Sequence, residues 1–422
     1  MSVKDEILKQ LKKDGGFVSG QELSDVLGVS RTAVWKAVSR LREEGYPIEA
    51  VQNRGYCLNE DKAREDDLLN QAELEQRLEK ATRWAGHPVF YREEVGSTND
   101  DIMAMADQGA KEGTLVVSVR QTKGKGRRGR TWVSPNEGNV YMSLLLRPKM
   151  PTDIAPMVTI VMALAICEAC NEICGTDPDF GGKKENAAPF GAAPDGSRSG
   201  SEISFGLQAD GNTAAHTGTG TKIGAKTGAE TGSETVTDMN EVRFGIKWPN
   251  DIVAQSTHDP AWKKMTGILT EMRLEEREIK DVTIGDGLNI NICEFPEEIA
   301  ATATSVKLET GRSINRADVV AQCWKNFERD YELFVKAGSL APLKEAYEKL
   351  LVNRERPVRV LDPQQPFTGV AVGISDRGGL LVIPDEGEFP ETIKKDGTKK
   401  ADRSVREVTA GEVSVRGVEG YV

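Results

Sequence analysis

The sequence predicts a multidomain α+β fold in three parts: an amino-terminal winged helix-turn-helix over residues 1–62, a central core of mixed strands and helices over 63–354, and a small carboxy-terminal β-barrel over 355–422. Three patterns carry that prediction. A helix, a glycine turn and a second helix open the chain, β-branched runs alternate with apolar helical stretches through its middle, and short β-branched runs between Gly, Pro and Asp turns close it. With 422 residues and 38% hydrophobic composition, the chain can bury more than one core.

In the first part, Ile7, Leu8 and Leu11 recur at helical spacing, and Gly15 and Gly16 end that helix. Within SGQELSDVLGVSRTAVWKAVSRLREEGY, Ser19 or Gly20 opens a helix whose apolar residues are Leu23, Val26 and Leu27; Gly28 supplies the turn and Ser30 caps the next helix. That helix buries Val34, Val38 and Leu41, which leaves Arg31, Thr32, Trp35, Lys36, Arg40 and Arg42 for its other faces. It is locally basic within a chain of formal net charge −11. PIEAVQNRGYCL then reads as two short strands turning at Asn53-Arg54-Gly55. Such a helix suits a DNA major groove, and Arg54 at the tip of the wing suits phosphate or the minor groove. The candidate DNA contacts are Ser30, Arg31, Thr32, Trp35, Lys36 and Arg54; the alternative is an interaction module whose cations form a solvated face.

A charged, helix-prone stretch from Glu60 to about Ala85 leads into the core. There, residues 114–121 and RFGI read as strands, and an apolar helix is expected from about Asp153 to Cys174. Residues 176–240, with Thr-Gly pairs as in HTGTGTKIGAKTGAETGSE, read as a disordered or loosely ordered surface insertion, with a small β excursion as the alternative. Beyond Glu355, the runs PVRVL, GVAVGI, LLVI and EVSVR give the barrel its strands.

Composition narrows the chemistry. MSVKDEILKQLKKDGG is charged throughout, and the longest apolar run, Ile154 to Cys167, carries Pro156 and falls short of a bilayer span, so the expectation is a cytoplasmic protein with no membrane partner. Six cysteines fit a reducing compartment, and Cys167, Cys170 and Cys174 share a face of the expected apolar helix, which favours buried thiols over a metal triplet. None of the three histidines, His87, His216 and His258, stands in a metal-ligand spacing. A histidine triad or zinc hydrolase is thereby disfavoured, and the work falls to cations, amides and backbone dipoles.

Three segments carry that work. In TLVVSVRQTKGKGRRGRTWVSP, a strand enters a loop bearing Lys123, Lys125, Arg127, Arg128 and Arg130 between Gly124, Gly126 and Gly129, which reads as a cradle for phosphates or, more blandly, a basic surface loop. GSTND, Gly96 to Asp100, sets small polar side chains at a strand-to-helix junction, where they either cap the helix or bind a polar ligand. KWPND, Lys247 to Asp251, puts a cation beside a Trp-Pro corner, as a point charge for carboxylate or phosphate or as an ordinary exposed lysine.

In this order, SRTAVWKAVSRLREEGY, NRGY, GSTND, KGKGRRGRTWVSP, KWPND, GILTEM, GDGLNIN, ATSVKLETGR and GEVSVR resemble the bifunctional biotin-protein ligase and biotin-operon repressor family, across nearly all of the chain outside the insertion. Each piece alone is a weak or moderate signal; the ordered combination is highly specific. The resemblance implies a core related to class II aminoacyl-tRNA synthetases and an SH3-like terminal barrel. It implies a biotin-[acetyl-CoA-carboxylase] ligase that makes biotinyl-5'-AMP from biotin and ATP and passes biotin to a lysine of a biotin carboxyl carrier protein. It further implies a repressor of biotin-synthesis genes that binds operator DNA, with biotinyl-5'-AMP as corepressor and a homodimer when that ligand is bound. ATP and biotin are then substrates, magnesium is expected with no ligand identified for it, and no tightly bound prosthetic group is implied.

Carried over by motif, Ser97, Thr98, Asn99 and Gln121 would contact biotin, and Lys125, Gly126 and Arg127 would form the loop ordering over biotin and the adenylate phosphate. Lys247 would hold the biotin carboxylate or the α-phosphate, acting with Arg127 and Lys125 on the reacting groups. Arg127, Arg130, Trp132, Asn289 and Arg416 would serve ATP, with Trp132 stacking on adenine, Asn289 near it, and Arg416 reaching the phosphates from the barrel. Three departures stand out: Lys125 replaces the family's usual arginine, Asp286 replaces a small apolar residue, and insertions fall at 176–240 and around Thr257 to Lys264. The first two motivate the alternative of a ligand-sensing transcription factor without ligase activity; lipoate-ligase chemistry is a third possibility, disfavoured by the winged helix and GEVSVR.

Overall fold

The computed structural model describes residues 3–59, 67–135, 138–176, 242–385, 391–393, 399–401, 404–409, 414–417 and 421–422, so the insertion expected at 176–240 lies outside the described residues except for Thr176. Helices α1 (Val3–Asp14), α2 (Gly20–Leu27) and α3 (Arg31–Glu43) close around Ile7, Leu11, Leu23, Val34, Val38 and Leu41. Local chemistry sets their ends. The Ser19 hydroxyl accepts the Glu22 N–H at 3.0 Å, Ser30 accepts that of Ala33 at 3.2 Å, and Gly28 ends α2 at φ 63°. Val26 departs from its expected burial and is 59% exposed, because Leu23 and Leu27, one turn apart, already fill the narrow face of α2 that meets its neighbours. Strands β1 (Ile48–Val51) and β2 (Gly55–Leu58) form the wing, turning through Asn53 at φ 63°, and Val18 bridges to Tyr56 on its outer side.

Helix α4 (Gln71–Ala81), capped by the Asn70 side chain on the Glu73 N–H, lies in the helix-prone connection. It also fastens the winged helix to the core. The buried Glu73 carboxylate takes Lys12 Nζ of α1 at 2.6 Å and the Tyr46 hydroxyl at 3.1 Å on Oε1, while Oε2 pairs with Arg77.

The core is a seven-stranded sheet built from β3 (Val89–Val95), β4 (Leu115–Gln121), β5 (Asn139–Leu146), β6 (Val242–Lys247), β7 (Asp251–Ser256), β8 (Lys263–Glu275) and β9 (Glu278–Asn289), in the order β3-β4-β5-β9-β8-β7-β6. Only β3 and β4 run parallel, joined through α5 (Thr98–Asp107), which covers one face with Ile102 and Ala106 against Val116 and Leu145. The other face lies under α6 (Val158–Cys174). The short helices α7 (Glu297–Ala300) and α8 (Val306–Thr310) then lead to α9 (Arg316–Ala337), which packs along α6, and to α10 (Lys344–Leu350).

Helix α6 overturns one expectation. The helical stretch Ala155–Cys174 is long and apolar enough by composition to cross a membrane, contrary to the reading of its run as too short, yet 72% of its most apolar window is buried inside the fold. It is hydrophobic on every side because the sheet and α9 enclose it. Cys167, Cys170 and Cys174 are buried within it, and among the described residues no group of three metal-ligating side chains is found.

Strands β10 (Pro357–Leu361), β11 (Phe367–Ile374) and β12 (Leu380–Pro384) follow; β13 (Glu391–Ile393) and β14 (Lys399–Ala401) pair with each other, and β15 (Arg406–Val408) and β16 (Ser414–Gly417) complete an antiparallel sheet in the order β15-β12-β11-β10-β16. Val358, Val360, Ala371, Val382, Val408 and Val415 are its buried interior. Trp248 pins this part to the core: its indole N–H donates to the Gly378 carbonyl, and its backbone N–H to Asn353 Oδ1, both at 2.9 Å.

Candidate functional site

A narrow polar cleft opens on the α5 face of the sheet. Its polar end is the β3–α5 junction. Ser97 stands at the helix N-cap, but its hydroxyl makes no capping bond, so GSTND spends its side chains elsewhere. Ser97, Thr98 and Asn99 are buried and line the cleft with Gln121. The Thr98 N–H and hydroxyl donate to Gln121 Oε1 at 2.9 and 3.2 Å, and Asn99 Nδ2 donates to Glu271 Oε2 at 2.6 Å. Ser143 Oγ of β5 lies 2.7 Å from Thr98 Oγ1 and 2.6 Å from Asn99 Oδ1. These bonds fix the direction of each polar group before any ligand arrives.

The floor of the cleft explains the glycines of GDGLNIN. A Cβ on Gly285 would overlap Asn99 Oδ1, and one on Gly287 would come within 2.9 Å of the Trp132 ring. Asp286, between them on β9, points to the opposite face with its strand partners Met142 and Ile268. It is buried there, and neither carboxylate oxygen has a hydrogen-bond partner among the described residues.

The cationic loop is ordered against this floor. Lys125 bridges to Thr131, the Gly126 N–H donates to the Arg130 carbonyl at 2.7 Å, and the Trp132 N–H donates to the Gly124 carbonyl at 2.9 Å. The turn between them passes through Arg128 at φ 59° and Gly129 at φ 70°. Arg127 donates to Asn250 Oδ1 at 2.8 Å, which ties the loop to KWPND, and Lys125 pairs with Asp100 on α5. Trp132 and Lys125 line the cleft.

A second cationic group joins the first through Trp132. Lys264 Nζ lies 5.1 Å from the centre of that ring and 2.6 Å from Asp251 Oδ1, and Asp251 pairs in register with Lys247. Lys247 is buried, not exposed, and burial pulls its ammonium down to about 8, with Asp251 opposing the shift. Burial pushes the Asp251 carboxyl up, but Lys264 and Lys247 outweigh it and hold the group below the usual carboxylate range. Tyr421 closes the group, with its ring centre 3.7 Å from Lys247 Nζ and 5.6 Å from Arg416 Cζ, and its hydroxyl donating to Asp251 Oδ2 at 2.6 Å.

Over 373 residues the chain is 32% identical to a bifunctional ligase/repressor BirA of Bacillus spizizenii, covering 88% of this chain and 90% of that protein. This chain belongs to the bifunctional ligase/repressor family. The Escherichia coli member is 24% identical over 375 residues, covering 89% of this ligase/repressor chain and 91% of its own. Residues 4–57 match an HTH domain, residues 93–197 the biotin/lipoate A/B protein ligase family, and residues 355–416 the biotin protein ligase C terminal domain. Among solved structures, the biotin protein ligase from Aquifex aeolicus in complex with biotin and ATP aligns with a TM-score of 0.50 at 25% identity, covering 78% of this chain and 98% of that one.

Of the ligase/repressor residues singled out in the sequence, Ser97, Thr98, Asn99, Gln121, Lys125 and Trp132 meet in the cleft. Lys247 and Arg416 meet around Tyr421. Asn289 is not among the cleft-lining residues: it is buried beside them, with its Nδ2 donating to the Thr304 carbonyl at 3.1 Å and its Oδ1 accepting from Asn139 at 3.0 Å. Sequence reasoning missed Ser143, Glu271, Lys264 and Tyr421. Alternation along β5 and β8 could have placed Ser143 and Glu271 on the cleft face, but no local motif marks Tyr421. On α3 of this ligase/repressor, Arg31, Thr32, Trp35 and Lys36 are exposed, Trp35 at 59%, and the Arg54 guanidinium rests 4.3 Å over the Phe17 ring.

Proposed function

We propose that the chain joins biotin to ATP as biotinyl-5'-AMP, passes biotin to a lysine of a biotin carboxyl carrier protein, and represses biotin-synthesis genes with the adenylate as corepressor. The observation that carries this reading is the cleft itself: a pre-oriented neutral polar end, Ser97 to Gln121, continues through Trp132 into a group of cations. The first suits a ureido ring, and the second suits a carboxylate meeting a triphosphate.

In the first step a carboxylate oxygen attacks the α-phosphorus, a P–O bond forms and the bond to the β-phosphate oxygen breaks, so pyrophosphate leaves. Two anions must approach, which calls for fixed cations and N–H donors rather than a proton-transferring histidine. Lys247, Arg127 and Lys125 take the reacting groups, and Arg130 and Arg416 the phosphates. In the second step the carrier lysine amine attacks the acyl carbon, an amide forms and AMP leaves. Among the described residues no group of carboxylates forms a cage for magnesium, and the carboxylates beside the cations are engaged, Asp100 by Lys125 and Asp251 by Lys264 and Tyr421. The experiment is biotin-dependent ATP–pyrophosphate exchange beside transfer to a carrier domain. Exchange absent with biotin and magnesium would remove the ligase half, and ligand-responsive DNA binding without transfer would leave a sensor.

Substituting Gly285→Ala is expected to push Asn99 aside and weaken biotin binding by about tenfold or more, the equivalent of one lost directed hydrogen bond. Calorimetry checks this, and an unchanged affinity would remove Asn99 from the biotin site.

For repression, the exposed face of α3 enters the major groove of each of two half-sites bound by a homodimer, and both partners place the protein in the cytoplasm. Changing Arg31→Ala and Lys36→Ala together is expected to weaken DNA binding, to lower the slope of log affinity against log salt by about two, and to leave biotin transfer unchanged. A gel shift across a salt series reads it; an unaltered slope would take both cations off the phosphate backbone.

A further inference from the structure

Resting on the reading that Lys247 and Arg416 receive ATP phosphates, we propose that Tyr421 is a built-in competitor for that seat, whose ring must leave before a polyphosphate can bind. The ring lies against both cations, 3.7 Å from Lys247 Nζ and 5.6 Å from Arg416 Cζ. A phosphate oxygen bonding to Nζ must come to about 2.8 Å, and on this side the aromatic face already fills that approach. On this side the ring answers the ammonium with its π-electrons, and the Asp251 carboxylate acts on it from the neighbouring strand.

The electrostatics make the ring a replaceable occupant. Around it, Asp251 is set against Lys247, Lys264, Arg130 and Arg416, so positive charge is in excess. A ring quadrupole offsets that excess weakly, whereas a polyphosphate brings several full charges and charge-assisted hydrogen bonds. The hydroxyl bond to Asp251 at 2.6 Å gives the ring its hold and its orientation. The Val422 backbone packs so closely on Gly417 of β16 that a Cβ there would overlap it, so Val422 lies directly against the strand that carries Arg416. Arg416 lies on β16, and Tyr421 follows that strand in sequence. Strengthening or loosening this terminal contact sets the affinity of the seat without altering any residue that contacts the phosphates.

Titration calorimetry of the full-length protein with inorganic pyrophosphate tests this. Tyr421→Ala, and separately a chain ending at Gly420, are expected to bind about tenfold more tightly than the parent, a change of about 1.4 kcal/mol. Tyr421→Phe, which keeps the ring and loses the bond to Asp251, should fall between the parent and the ring-less variants. Equal or weaker binding by both ring-less variants, with circular dichroism unchanged, overturns the proposal. Lys247→Ala separates the two levels: if it binds pyrophosphate as the parent does, the phosphate-seat reading itself fails. If it loses binding while the ring-less variants gain nothing, only the competitor role falls.

Discussion

Replacing Lys247 with alanine is expected to reduce biotin-dependent ATP–pyrophosphate exchange by about 10²–10³-fold, the loss that follows removal of one preorganised donor from a water-poor site. The ammonium is buried at the end of β6, beside the rigid Trp248–Pro249 corner, and the loop carrying Arg127 is bonded to Asn250 of the same turn. A charge fixed in this way needs no reorganisation as two anions approach, and the empty volume left by alanine would admit only mobile water. A pH signature accompanies the loss. Because burial pulls this lysine down to about 8, its charge disappears as pH rises through that value, so exchange by the parent protein should decline above about pH 8. Steady-state exchange from pH 6.5 to 9.5 reads both effects; a Lys247→Ala rate equal to the parent's would take this residue out of the site.

The second large effect concerns stability. Asp286→Ala is expected to stabilise the protein by about 1–3 kcal/mol near pH 4, since a buried polar group without partners costs that much, and by more near pH 7. Asp286 lies under α6 and α9 on the apolar face of the sheet, flanked by Met142 and Ile268, and burial raises its carboxyl well above the ordinary value. The sign follows from proton binding. Above the unfolded-state value of about 3.9 the unfolded chain releases this proton while the folded chain keeps it, so stability declines with rising pH by up to about 1.4 kcal/mol per unit until the folded group also ionises. Alanine abolishes that slope. Urea melts of both proteins at pH 4.5 and 7.5 should show a gap that widens with pH, and a constant gap would mean that Asp286 titrates normally.

Much of this architecture was legible because its signals are local. Ser19, Gly28 and Ser30 act on backbone groups within three or four positions of themselves, so the winged helix could be read residue by residue. The polar cleft was legible as a set of motifs, though not as a shape. Asn139 of β5 and Asn289 of β9 pair directly although they stand 150 positions apart, and that register brings Ser143 and Gly285 to one wall. No short-range pattern encodes such a pairing. Lys264 read as part of an excursion because its partner, Asp251, is supplied by the neighbouring strand, and Tyr421 arrives only when the terminal sheet docks on Trp248. For helix α6 the sequence marked an apolar helix but not its enclosure, since the sheet and α9 that cover it come from distant parts of the chain.

The Glu73 carboxylate means that the reader of DNA and the maker of adenylate are not separable cassettes. Lys12 and Tyr46 reach it from the amino-terminal side, while Arg77, one turn along α4, bonds onward to Asp318 at the start of α9. A ligase truncated to begin at Asp67 would strip two of those donors from a nearly inaccessible anion and uncover Leu68 and Ala72, which now rest against the discarded helices. Such a fragment should unfold at a lower temperature than the intact chain even with every adenylation residue in place, and trimming the regulator would tax the enzyme.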